Sequence, residues 1–519
     1  MPPLLRYSTM TSARKARVLG GAALATLAFC GSGPLAAETL REAMVKAYET
    51  NPTLAAQRAN LRATDETVPL ARASALPSVQ LQSTFSENVV LPITSFTAPS
   101  RISQTSTSLT YPLYSGGAVK NGVAAAKVRV DGGRASLRGT EADLFTAVVA
   151  AYMDVQRDSA VVQLNEQNLR VLGVNLQASR DRFEVGDLTR TDVAQSEARL
   201  ALAQSQLETA QSRLISSREN YIRLVGSPPG ELESPPPLPA LPADPDAAVQ
   251  IALAENPNLL AARKALEASG YDVKTARATK RPTVDAFAQG NYTNFLGTLG
   301  SFGNNAAPPQ FDRTAQFGLR LSLPLYQGGA PAARVRQAQA RQSQSIEQLT
   351  EAERTVVSQA RSAYASYRAA LDVIRSAEAA VSANRLALEG VRAENSVGNR
   401  TILEILNAEQ ELLNSQVTLV TARRDAYVAG FAVIAAMGRA EAKDLGLEGG
   451  PLYDPTVNYE RVRNRIIDWD EDPTPVPVAT STVNTPAQNA TVVRPIDRVV
   501  SPPVDRGVEN PANVPRKDR

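Results

Sequence analysis

The sequence predicts a fold of two materials: long α-helices paired as coiled coils, and short amphipathic β-strands of the kind that cross a membrane once closed into a barrel. Three observations predict it. The chain is duplicated, its helical stretches carry a seven-residue apolar repeat, and four segments alternate apolar with polar residues.

The duplication sets the organisation. Asn51-Pro52 with Leu54 recurs as Asn256-Pro257 with Leu259, and Pro77 recurs as Pro282, both at an offset of 205. PLYSGG at 112–117 recurs as PLYQGG at 324–329, at an offset of 212. Val185-Gly186 and Gly226 recur at the same offset as Val397-Gly398 and Gly438. The 7 extra residues fall between Pro282 and Pro324, a change that exposed loops tolerate. The repeats are expected over 38–227 and 246–440. A Pro-rich crossover at 228–245 joins them, and a Pro-rich tail over 451–519 reads as disordered or loosely wrapped.

Each repeat opens with a helical pattern, in the first from Thr39 through residue 75, ended by Pro77. Strand-like segments follow at 78–90 and 104–114, and within 283–326 in the second repeat. Ala315, Phe317, Leu319, Leu321, Leu323 and Leu325 alternate with Thr314, Gln316, Gly318, Arg320 and Ser322, the period of a strand. The run approaches the 9–11 residues of a tilted transmembrane strand. Loops are expected over 91–103 and 297–312. A helix then spans 118–184, with Val148, Val155, Val162, Leu169, Leu176 and Phe183 stepping by seven. Beyond a Gly-centred tip at 183–192, Val193, Leu200, Leu207, Leu214 and Tyr221 return, with Ser196, Ala203, Ala210 and Ser217 between. The second repeat turns at 395–404 and returns through Ile405, Leu412, Leu419, Ala426 and Val433. Apolar knobs interleaved with small residues form a coiled-coil seam.

Composition narrows the function. The 519 residues contain no histidine, which excludes imidazole acid–base chemistry and His metal sites. The single cysteine is Cys30, and no nucleophile or phosphate-loop motif is present. An enzyme is not expected, and no cofactor or metal is called for. The net charge of +3 points to no nucleic-acid partner. A signal peptide is expected over 1–37: Arg14, Lys15 and Arg17, apolar Val18 to Phe29, then Pro34-Leu35-Ala36-Ala37 before Glu38. Cys30 as a lipidated cysteine is the alternative, which Phe29 fits poorly. After residue 37 no run of 18 apolar residues occurs, so a membrane span must be β-structure.

Four strands cannot close a transmembrane barrel, for which eight is the usual minimum. Several chains must pool them, and three would supply twelve. The long helices would extend that barrel as a helical tube.

At this point the sequence resembles the TolC family of outer-membrane efflux and type I secretion channels. The duplicated Asn-Pro-x-Leu, the paired PLYSGG and PLYQGG and the paired Val-Gly tips carry the resemblance, over about residues 38–440. It implies a homotrimer embedded in outer-membrane lipid through a twelve-stranded barrel, with a helical tunnel in the periplasm. It also implies partners: a periplasmic adaptor (a membrane fusion protein) docking at Val185, Gly186, Val397 and Gly398, and an inner-membrane pump or ABC transporter. Cargo would be small toxic compounds or secreted proteins. In the family the second tip reads Tyr-Ser-Val-Gly-Thr-Arg and precedes two pore aspartates. Arg400 matches the tip arginine, Asp192 the aspartate that latches it, and Glu404 the first pore acid. Asn407 stands in place of the second acid, and Asn395 in place of the tyrosine.

Such residues could gate for a simple reason. A carboxylate repeated around a narrow wet pore repels its copies and attracts cations, and an Arg–carboxylate pair can hold one arrangement. The plain alternative is a set of solvated helix-end charges. The alternative for the whole chain is an adaptor-like periplasmic coiled-coil protein.

Overall fold

The computed structural model describes residues 37–90, 98–300, 308–447 and 452–492. The expected signal peptide, with Cys30, lies outside these residues except for Ala37.

The helical opening is three helices where the sequence pattern reads as one. Thr39 starts α1 (Leu40–Thr50) with a capping box: Glu42 N donates to the Thr39 hydroxyl at 3.2 Å, and Thr39 N donates to the Glu42 carboxylate at 3.0 Å. Asn51 then leaves the helical region at φ −69°, ψ 126°, and α2 (Pro52–Asp65) begins. The break has a steric cause, because a residue preceding proline is pushed out of the α region. A short α3 (Thr67–Ala73) follows.

Asn51 does two jobs with one amide. Its Oδ1 accepts from Thr53 N at 2.9 Å and Leu54 N at 3.4 Å, capping α2. Its Nδ2 donates to Leu224 O at 2.9 Å. That carbonyl belongs to the last turn of α5 (Arg190–Val225). One buried side chain therefore satisfies orphan groups at the start of one helix and the end of another. The second repeat builds the same joint. Asn256 separates α6 (Pro245–Glu255) from α7 (Pro257–Ala278). It accepts from Asn258 N and Leu259 N at 3.0 and 3.2 Å and donates to Ala436 O at 2.9 Å. Ala436 is the last residue of α9 (Ile402–Ala436). Gly438 follows at φ +79°, where a Cβ would meet Glu255 O at 2.5 Å, so only glycine fits there.

The strands β1 (Ser78–Glu87), β2 (Arg101–Tyr114), β3 (Thr283–Asn294) and β4 (Phe311–Ser322) form one antiparallel sheet in chain order. β2 and β4 begin inside the stretches that read as loops. Register gives the sheet two unlike faces. Val79, Leu109, Ala288 and Phe317 lie in one row across it, with Tyr111, Ala286 and Leu319 in the next. The opposite face carries Gln80, Ser108, Gln289 and Gln316, then Gln82, Ser106, Asn291 and Thr314. The apolar row is bare: Phe317 is 90% exposed and Leu319 70%. The alternation through Leu323 and Leu325 does not continue as strand, because β4 ends two residues before Pro324, which has no N–H for a ladder.

Below the sheet run α4 (Ala118–Glu184) and α8 (Ala330–Ser396), of 67 residues each, about 100 Å at 1.5 Å per residue. They return as α5 and α9. Leu214, Tyr221, Val148 and Val162 are fully buried on the seams. The main core lies where α1, α4 and α5 meet the end of α9, around Phe145, Tyr152 and Tyr221. α4 packs inside the chain along most of its length, whereas only 9 residues of α8 are buried.

The tail departs from the disordered reading. Residues 452–492 hold α10 (Val457–Val462) and lie against the body. Asn458 Nδ2 donates to buried Asp65 at 2.8 Å, and Arg218 donates to Thr491 O at 2.9 Å. Val462 is fully buried, and Leu452, Tyr453, Tyr459, Ala490 and Val492 pack against the body; these scattered apolar and polar contacts leave no periodicity in a sequence.

The joint is testable. Asn51→Ala should lower the stability of the folded chain by about 2–4 kcal/mol, combining a lost cap with an orphaned buried carbonyl. Asn51→Ser, which keeps a neutral cap but loses the amide donor, should fall between. Denaturant midpoints read the order, and equal midpoints for all three proteins would contradict it.

Candidate functional site: the two hairpin tips

Both tips are the same device. At the end of α4, Gly186 sits at φ +87°, with Gly186 N donating to Phe183 O at 3.0 Å and Asp187 N to Arg182 O at 2.9 Å. At the end of α8, Gly398 sits at φ +82°, with Gly398 N donating to Asn395 O and Asn399 N to Glu394 O, both at 3.0 Å. Each is a Schellman stop, which needs a left-handed residue and so selects glycine. Val185 and Val397 project into solvent, 76% and 70% exposed.

Each returning helix then starts on a threonine. Thr189 N donates to Asp192 Oδ2 at 3.0 Å and Asp192 N to the Thr189 hydroxyl at 3.3 Å. Thr401 N donates to Glu404 Oε2 at 3.0 Å and Glu404 N to the Thr401 hydroxyl at 3.4 Å. Asp192 and Glu404 are thus the acids of two capping boxes. Thr189 and Thr401 are the tip residues that the sequence reading missed. The Thr-x-x-Asp and Thr-x-x-Glu spacing at the head of a heptad run was the available signal.

The second tip is further clasped. Arg400 Nε donates to Glu394 Oε2 at 2.6 Å, and its Nη1 donates to Glu404 Oε1 at 3.1 Å. Asn395, in place of the family tyrosine, donates through Nδ2 to Arg400 O at 2.6 Å. These bonds have electrostatic consequences. The Thr189 hydroxyl and amide hold Asp192 below the usual carboxylate range. The Thr401 amide, then Arg400, do the same for Glu404. The Glu394 and Glu404 carboxylates push Arg400 up.

Within one chain the structure does not join Asp192 to Arg400; each is bonded inside its own tip. It does bring α5 and α9 side by side. Arg199 Nη2 donates to Asn407 Oδ1 at 2.7 Å, and Leu406 packs with Leu172 and Ala203. Asp192 and Arg400 each lie 7 residues nearer the tip than that bonded pair, Asp192 in the first turn of α5 and Arg400 in the turn before α9. Cross-helix ion pairs brace each hairpin one step further in: Arg180 with Glu197 at 2.7 Å, and Arg392 with Glu409. These pairs are related by the sequence repeat, but only Glu409 is buried.

Comparison with known proteins decides the family. The profile described as "Outer membrane efflux protein" matches residues 43–227 and 248–439. The chain belongs to this family. Outer membrane efflux protein BepC of Brucella suis is 33% identical over 462 residues, 89% of this chain and 98% of the relative. Outer membrane protein TolC of Escherichia coli is 27% identical over 360 residues, 65% of this chain and 71% of the relative. The solved structure of the outer membrane protein VceC from Vibrio cholerae superposes with a TM-score of 0.66 at 23% identity, over 77% of this chain and 96% of that one. The two matched segments coincide with the two repeats. The adaptor alternative is set aside: the efflux family's profile spans both hairpins and both strand pairs. The protein is an outer-membrane efflux or secretion channel component, with its helices on the periplasmic side.

The tip acids make a pH prediction. Their folded pKa values lie below the ordinary ones, so the capping boxes stabilise the tips above the ordinary carboxylate range. That contribution is lost as pH falls through the depressed values. Amide exchange in the first turns of α5 and α9 should therefore quicken on acidification, relative to mid-helix amides. Asp192→Asn and Glu404→Gln should flatten the response in their own helices only. A response that survives both substitutions would place its origin elsewhere.

Proposed function

We propose that three copies of this chain close one channel, with a twelve-stranded barrel in the outer membrane and a helical tunnel beneath it. The channel is the exit duct of a tripartite efflux or type I secretion system. The observation that carries this reading is the sheet: two unlike faces, and outer edges on β1 and β4 that pair with nothing among the described residues. An unpaired edge in lipid strands backbone groups at several kcal/mol each, so the edges must meet other chains.

The repeat supports a ring. The turn before α4 is packed: a Cβ on Gly116 would meet Ala278 O at 2.8 Å, and Arg281 donates to Gly116 O at 3.2 Å. The equivalent turn at Gly328 and Gly329 faces open space. Likewise PLY is strand in β2, against β3, but not after β4, which has no neighbour on that side. The first repeat's contact with the second is the contact the second repeat lacks. A head-to-tail contact of this kind closes into a ring when its rotation allows.

The exposed tips would receive a periplasmic adaptor, with an inner-membrane pump or ABC transporter behind it. Asp192 and Arg400 would latch the closed end. Asp192 Oδ1 and Arg400 Nη2 are the atoms that the local bonds leave unused among the described residues, and each lies 7 residues tipward of the bonded Arg199 and Asn407. Glu404 and Asn407 would line the constriction.

Membrane fractionation should place the protein in the outer membrane as a detergent-stable trimer. A soluble monomer would sink the duct. In planar bilayers, Arg400→Ala and Asp192→Ala should each raise single-channel conductance, and Glu404→Gln should weaken block by divalent cations. Wild-type conductance in both alanine variants would leave these residues as ordinary helix-end charges.

A further inference from the structure

The C-terminal tail climbs toward the sheet, turns, and descends. Tyr453 N donates to the Tyr48 hydroxyl at 3.1 Å, with Arg58 over both rings. Asn458 reaches Asp65 at 2.8 Å. Arg72 Nη1 donates to Arg463 O at 2.6 Å and to Asn464 Oδ1 at 2.7 Å. Arg58, Asp65 and Arg72 are each 7 residues apart along α2 and α3, steps of about 10 Å each on a helix. The tail thus rises to within one or two helical turns of Ser78, where β1 begins.

There the tail reverses. Arg461 closes the turn by donating to Asp472 at 2.6 and 2.8 Å. The return path passes Gly226, where the Thr480 hydroxyl lies beside the glycine. It then follows α5 down, with Arg218 donating to Thr491 O at 2.9 Å. The apex of this excursion is Ile466, Ile467, Asp468 and Trp469.

The apex carries three uncovered apolar side chains around Asp468. Ile466, Ile467 and Trp469 are 72%, 70% and 75% exposed, and Trp469 is the only tryptophan in the chain. Leu70 and Leu76, on the stretch leading into β1, are also exposed. The apolar face of the sheet starts at Val79, three residues after Leu76, so exposed apolar residues occur on both sides of the point where the chain enters the sheet. The arginines of the turn are matched, Arg463 with Glu460 and Arg461 and Arg465 with Asp472, and Asp468, Asp470 and Glu471 flank Trp469, so the turn carries no excess positive charge. Attraction of cations to anionic headgroups is therefore not what this turn offers.

We propose that the 466–469 turn is a membrane-interface anchor, seating Ile466, Ile467 and Trp469 in the periplasmic leaflet around the base of the barrel. Tryptophan concentrates at this depth because its ring is amphipathic, and adjacent apolar side chains add buried area at the headgroup boundary. The anchor rests on the outer-membrane reading of the sheet. It ties the tail, and through Asn458 and Arg72 the tops of α2 and α3, to the lipid surface.

The lone tryptophan makes the test direct. The full chain is reconstituted in vesicles of phosphatidylethanolamine and phosphatidylglycerol, and resistance to alkaline extraction is scored separately as insertion. Trp469 emission should move to shorter wavelength relative to a denatured control. Lipids brominated near the headgroup end of the acyl chain should quench it. Quenching should fall by about twofold or more in an Ile466→Asp, Ile467→Asp double variant that still inserts. Water-exposed emission quenched by iodide, in an inserted chain, overturns the anchor and leaves the duct intact. Blue-shifted emission that brominated lipid does not touch means that protein covers the turn, and also overturns it. A chain that fails to insert overturns the duct reading, and the anchor falls with it.

Discussion

Everything in this chain is arranged around backbone groups that lipid will not satisfy. A four-stranded sheet has two outer edges, and in hydrocarbon each edge must find a partner strand. Four strands are too few to close on themselves, and among the described residues nothing pairs with the outer sides of β1 and β4. Between its own halves the chain makes one such pairing. β2 meets β3 across the repeat boundary, and the turn at Gly116 packs into the end of α7 and the residues before β3. The proposed ring repeats that contact between chains.

The helical part answers a different demand. The shorter helices beside the two of about 100 Å must meet end to end without leaving their terminal groups bare. The buried Asn51 and Asn256 amides do this at equivalent places, each capping one helix and receiving the end of another. The glycine that follows the received helix lets the chains approach. A side chain at 438 would collide with the backbone of Glu255.

The sequence disclosed what is periodic or repeated, and hid what is neither. Strand alternation was legible because β3 and β4 show opposite chemistry to their two sides. The tips were legible because a left-handed stop selects glycine at both Gly186 and Gly398. The break at Asn51 went unread although its motif was noticed, since helical periodicity runs on through a cap. The tail was unreadable because scattered single contacts hold it, polar ones such as Asn458 to Asp65 and apolar ones such as buried Val462, with no repeat among them. At the tips, residue identity located Asp192 and Arg400. Their present partners depend on side-chain reach, which spacing does not encode.

Arg400 sits between two carboxylates of its own hairpin, Glu394 and Glu404. A bond from its unused Nη2 across to α5 would therefore add to a guanidinium that is already matched, rather than capture a bare charge. Both end states of the proposed latch would keep Arg400 paired, so little energy would separate them. Such a latch would tip under modest influences, such as a docking protein or a change in salt.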